Sequence, residues 1–126
     1  MTTWRPMLLL IGGDDWELPF TLLDDDGNPY DLAAAELTWT LVNVEGQRVV
    51  NDGEYTLSII NAAAGTCSVM VPSTKTTNLR AGRFTDALRI VSNGVTATPV
   101  MGLVQVIADP WRLAGGYEFS DLRVVA

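Results

Sequence analysis

The sequence predicts an all-β fold, an immunoglobulin-like antiparallel β-sandwich of about seven to nine strands with one or two short helical turns. Three observations carry that expectation. Apolar residues recur at every second position in run after run, short clusters of Gly, Asn, Asp and Pro separate the runs, and no long amphipathic helical pattern interrupts them. Period two is the mark of a strand with one buried face, and the punctuation is turn chemistry.

Taken in order, a short first strand is expected at residues 7–11. Trp16, Leu18, Phe20 and Leu22 then alternate with Glu17, Pro19 and Thr21. Leu37, Trp39 and Leu41 alternate with Thr38 and Thr40, Tyr55, Leu57 and Ile59 with Thr56 and Ser58, and Cys67, Val69 and Val71 with Ser68 and Met70. Further strands are expected at residues 83–91 and 95–101, with 103–107 following a turn at Met101 and Gly102. Trp39 in mid-strand matches the buried Trp of immunoglobulin-like sandwiches. Residues 31–36 and 73–82 are expected to form helical turns, capped by Asp31 and Ser73, with Gly82 ending the second. The register breaks at residues 108–110, dividing the chain into a sandwich domain at 1–108 and a C-terminal tail at 109–126. That tail holds one more potential strand at 117–125, and its Trp111, Tyr117 and Phe119 are candidate subunit contacts.

The chain has 126 residues, enough to bury the core of one domain without staples. Its net charge of −7 argues against nucleic acid or an anionic membrane as partner, since both are bound through clustered Lys and Arg and the eight basic residues here are scattered. Cys67 is the single cysteine, which excludes an intrachain disulfide. The apolar run at residues 7–11 is shorter than the roughly 7–15 residues of a secretory h-region or the roughly 20 of a membrane span. A protein made in the cytoplasm, not secreted by a signal peptide, is expected, with assembly into a virion as its way out.

The segment LLDDDGNPYDL, residues 22–32, concentrates acids. A helix-loop-helix calcium loop needs Gly at position 6 and Glu at position 12; counted from Asp24, those positions hold Pro29 and Ala35. Weak calcium binding through Asp24, Asp26 and Asp31 is the remaining metal reading, against a turn built on Asp, Asn, Gly27 and Pro29. Asp14, Asp15, Glu17 and Asp86 are acids without a defined partner. Alternation places Asp86 on the inward face with Phe84, Leu88 and Ile90, where an ionised group must find donors. A structural ion pair, with Arg80 or Arg83 or with turn amides, is expected over catalysis. With no histidine, a catalytic Cys67 lacks its base, and packing as a small apolar side chain is its expected role. Zinc sites, phosphate loops and nucleophile elbows are absent from the sequence, so no enzyme activity and no cofactor are expected.

Read in succession, IGGDDWELPFTLLDDDGNPYDLAAAELTWTLVN gives a Gly-Asp pair opening a strand, then Asp-Gly-x-Pro, then Asp-Leu with a small-residue turn. Later, STKTTNLRAGRFTDALRIVSNGVTATPVMGLVQV gives a Thr-rich turn, Leu-x-Ala-Gly, an Asn-Gly hairpin and a Gly-bearing strand. This order, over residues 11–107, resembles the N-terminal immunoglobulin-like domain of phage baseplate upper proteins and related phage or prophage tail-fibre attachment domains. The resemblance implies a non-catalytic structural or docking component of a tail or baseplate assembly, with other tail proteins and further copies of itself as partners. In such proteins a long fibre region follows the domain, whereas residues 108–126 follow here, which points to a small connector. The alternative is a carbohydrate-binding or adhesive module, which would present Trp16 or Trp4 in a groove with acids nearby.

Overall fold

The protein, represented by a computed structural model that describes residues 2–108, is a β-sandwich of the immunoglobulin-like class. Its elements are β1 (Thr3–Ile11), β2 (Trp16–Thr21), β3 (Glu36–Asn43), β4 (Arg48–Val50), β5 (Thr56–Asn61), β6 (Thr66–Val71), a one-turn helix α1 (Ser73–Thr76), β7 (Gly82–Ser92) and β8 (Val95–Ile107). One sheet has the order β1-β8-β7-β3-β4 and the other β2-β6-β5. All neighbours run antiparallel except β1 and β8, which are parallel.

Alternation in the sequence becomes the two inner faces. Trp16, Leu18 and Phe20 of β2 and Cys67, Val69 and Val71 of β6 meet Trp39 and Leu41 of β3, Phe84, Leu88 and Ile90 of β7, and Val100, Val104 and Val106 of β8 in one buried cluster. Leu22, Leu32 and Leu79, from the connections, close its ends. Burying a side chain of this size contributes about 1.5–3 kcal/mol, so this cluster is the main favourable term of the fold. Trp39 is fully buried and takes Tyr55 edge-on at 5.4 Å between ring centroids. Tyr55 Oη also accepts the Trp39 backbone N–H at 3.0 Å, which ties the segment before β5 to the opposite sheet.

Several expectations needed correction. The first strand begins at Thr3, four residues earlier than its apolar run, and passes through Pro6. Proline is tolerated there because the ladder shifts register between Arg5 and Leu8 and because β1 is a sheet edge. Gly102 makes no turn: β8 runs through it unbroken, and its lack of a side chain serves another purpose described below. Strand β4 has three residues, too few to display alternation. In β5, Ile59 and Ile60 are exposed, since a bulge between Ile59 and Asn61 turns this edge strand off the core.

The helical turns also differ. Residues 31–36 form no helix, because Asp31 Oδ1 accepts the Ala33 N–H at 3.0 Å and Leu32 donates its N–H to Ala62 O, holding the chain in a turn. In α1 the residue preceding the helix is Pro72, and Ser73 provides no side-chain cap. Its backbone N–H is instead accepted by Asp15 Oδ1 at 2.6 Å, from the turn between β1 and β2. The proposed strand at 117–125 and the contacts Trp111, Tyr117 and Phe119 lie outside the described residues.

Gly65, in the turn between β5 and β6, has φ of +70°, and its O accepts the Leu22 N–H at 2.8 Å. A Cβ there would stand 2.7 Å from the Leu22 carbonyl oxygen and 3.1 Å from that of Tyr30. Both obstacles are backbone and cannot rotate away. Gly65→Ala is expected to cost about 2 kcal/mol or more in urea denaturation, combining left-handed strain with displacement of the 22–30 loop. Gly53→Ala, also at positive φ but in open space, is expected to cost less than half as much.

Candidate functional site

The aspartate segment folds as a turn. Asp24 Oδ1 accepts the N–H of Asp26 at 3.0 Å and that of Asn28 at 2.9 Å, the Asp24 carbonyl accepts the Gly27 N–H, and Leu23 bridges to Pro29. Asp31 is engaged with Ala33. Asp24 and Asp31 thus use carboxylate oxygens to order backbone, and among the described residues no group of three or more His, Cys, Asp or Glu is gathered around a point that would hold a metal ion.

Asp86 occupies the most unusual position in the core. It is 1% exposed, on the inner face of β7, in register with Gly102 of β8, which is in register with Arg5 of β1. Because Gly102 has no side chain, the Arg5 side chain crosses β8 and reaches Asp86. Its Nη1 donates to Asp86 Oδ2 at 2.7 Å and its Nη2 to Oδ1 at 2.5 Å, a two-pronged ion pair. Trp39 Nε1 donates to Oδ2 at 3.1 Å. The guanidinium also lies 5.8 Å from the centroid of Phe20, in the facing sheet. The expected ion pair exists, with a different arginine: neither Arg80 nor Arg83 takes part, and Arg5 is brought in by a parallel pairing that local spacing does not reveal. With both oxygens occupied, Asp86 is placed as a structural anion.

Asp15 caps α1, while Thr76 Oγ1 donates to the Asp14 carbonyl at 2.7 Å and accepts the Gly13 N–H at 3.0 Å. These bonds fix the β1–β2 turn against α1. Trp16 is 3% exposed and its Nε1 donates to Ile11 O at 2.9 Å, so it belongs to the core and lines no groove. Trp4 is 60% exposed. Burial raises the Cys67 thiol to about 11, away from the thiolate form that a nucleophile requires.

The outer face of the larger sheet is divided. On its β3 and β7 side it carries Thr38, Thr40, Thr85, Ala87 and Arg89, whereas on β1 and β8 it carries Trp4, Leu9, Ile11, Leu103 and Ile107. Trp4 stands opposite Met101, and Ile11 opposite Ile107, so these side chains are neighbours on one surface. They adjoin the open edge of β1. The unbroken apolar run at residues 7–11 gives no sign of which side chains face outward, and only the β1–β8 pairing joins Leu9 and Ile11 to Leu103 and Ile107 on one surface.

No family model matches the chain, and no curated protein matches it. Solved structures match parts of the chain only at low identity. Similar regions occur in a family 123 glycoside hydrolase from Clostridium perfringens (10% identity, 83% of this chain and 23% of that one, TM-score 0.45) and in bovine butyrophilin (19% identity, 80% and 49%, TM-score 0.44). A 2,6-sialyltransferase from Photobacterium sp. JT-ISH-224 is another (13% identity, 85% and 18%, TM-score 0.40). The chain spans less than half the length of each, and none is a phage protein. At these scores they carry no functional argument.

Two tests follow from the buried groups. Arg5→Met should cost about 3 kcal/mol in urea denaturation by leaving Asp86 buried without its cation, and the Arg5→Met/Asp86→Leu double variant should cost clearly less than the sum of the single changes. Additive losses would show that the two residues act separately. For Cys67 the raised folded value and the reference of 9.0 give the sign: the folded state holds its proton where the unfolded chain releases it. Tyr55 is shifted upward too, chiefly by burial. Stability from these groups is therefore complete below about pH 9 and declines as pH rises toward 11, seen as a falling urea midpoint, with native Cys67 slow to react with a thiol reagent until the protein unfolds.

Proposed function

We propose that this chain is a non-catalytic docking module of a phage, prophage or phage-derived tail or baseplate assembly. The observation that carries the docking part is the apolar outer face of β1 and β8, where Trp4, Leu9, Ile11, Leu103 and Ile107 lie exposed together beside an open sheet edge. Large contiguous apolar surfaces on a folded domain mark interaction sites, because water contact there is unfavourable until a partner removes it. The sheet edge supplies backbone donors and acceptors, and Pro6 with its bulge interrupts them, limiting indiscriminate strand addition.

The assignment to a tail or baseplate rests on the ordered motifs over residues 11–107 that resemble baseplate upper proteins. Under this reading the partners are other tail proteins and further copies of the chain, binding is the whole of the mechanism, and the protein is made in the cytoplasm and carried into a particle. The main-chain turns formed by Asp24, Asp31 and Asp15 are then architecture.

Sedimentation velocity over a concentration series should show self-association of the wild-type chain. Leu9→Lys/Leu103→Lys should shift it to monomer while the far-ultraviolet circular dichroism stays that of a β protein. A wild-type chain that remains monomeric throughout and fails to copurify with co-expressed tail proteins would overturn the docking reading.

A further inference from the structure

A cleft of about 540 Å³ opens where the turn between β3 and β4, the segment after α1 and the start of β7 meet. That volume falls within the roughly 300–1,000 Å³ of ligand sites. Val49, Leu79 and Phe84 form its apolar wall, with Leu79 and Phe84 part of the core and therefore firmly held. Arg80 and Arg83 stand exposed at its rim. Neither side chain makes an ion pair or hydrogen bond with another described residue, as is also true of the exposed Arg89 on the outer face of β7, whereas Arg5 and Arg48 are both paired. The other charged groups on the cleft are Lys75, 2.9 Å from Glu54, and the exposed Glu45. Asn78 adds a carboxamide, and Val49 belongs to β4, the opposite edge of the larger sheet from β1.

Two unengaged guanidinium groups beside an apolar wall are conspicuous in a chain of net charge −7. Guanidinium forks match carboxylates in two-pronged fashion and are weakly hydrated, so they give up water readily to such a partner. A free phosphate would leave the apolar wall uncovered, and a nucleic acid is bound through a longer run of clustered Lys and Arg than this cleft offers. We propose that this cleft binds an acidic peptide segment of a partner protein, with an apolar side chain against Val49, Leu79 and Phe84, carboxylates on Arg80 and Arg83, and backbone along the β4 edge. This site is separate from the β1–β8 face and stands even where that face has no partner.

The test is fluorescence anisotropy of the full chain with a labelled octapeptide of six acidic residues interrupted by one Phe and one Leu, and with its counterpart in which lysines replace the acids. Saturable binding of the acidic peptide alone is expected, weakened about tenfold or more by Arg80→Ala/Arg83→Ala. Arg89→Ala, on the outer face of β7, should leave it unchanged. Binding that is absent, equal for the lysine peptide, or retained by the double variant with native circular dichroism would overturn the proposal. Displacement of the peptide by an equal concentration of inorganic phosphate would overturn it in favour of a simple anion site.

Discussion

The ion pair between Arg5 and Asp86 constrains much of the rest of the sandwich. A carboxylate with 1% exposure is costly in a core, and removing its cation would leave that cost uncompensated. Holding Arg5 in reach requires β1 to lie beside β8, β8 to carry glycine at position 102, and Arg5 to face inward. A Cβ at Gly102 would come within 2.7 Å of Arg5 Nη2, so the glycine is a passage for the guanidinium. The register shift between Arg5 and Leu8 completes the arrangement. Without it, strict alternation would put Arg5 and Leu8 on opposite faces; with it, Arg5 meets Asp86 and Leu8 and Leu10 pack against the core.

This pairing also sets the character of the surface. Once Arg5, Leu8 and Leu10 face inward, Trp4, Leu9 and Ile11 must face outward, beside Leu103 and Ile107 of β8. The register shift that lets Arg5, Leu8 and Leu10 all face inward therefore also exposes an apolar row, a consequence with a direct energetic meaning because that row gains most from being covered. Other contacts act locally. Asp15 and Thr76 join the first turn to α1, Gly65 lets the 22–30 loop lie close, and Trp39 with Tyr55 links β3 to the segment leading into β5.

The exposed β1–β8 face and the cleft are unlike in chemistry. The β1–β8 face is apolar and broad, whereas the cleft near Arg80 and Arg83 pairs an apolar wall with unengaged cations. The apolar face lies beside the β1 edge and the cleft beside the β4 edge of the same sheet. In the acid-rich segment at residues 22–32, the Asp24 and Asp31 carboxylates are already committed to turn amides.

Side-chain period and turn residues, read alone, determined the all-β class, most of the strands and most of the core, because alternation records which side chains leave water. They also placed Asp86 inward and called for donors there, from Arg80, Arg83 or turn amides. Tertiary structure decided which cation it was, since Arg5 is 81 positions away and nothing in local spacing marks a parallel partner. It likewise decided that Gly102 sits within a strand, that Trp16 is core and Trp4 surface, and that Arg80 and Arg83 gather around a cleft. Each of these depends on which strand lies beside which, and that is fixed by packing between distant segments and by the need to satisfy one buried charge.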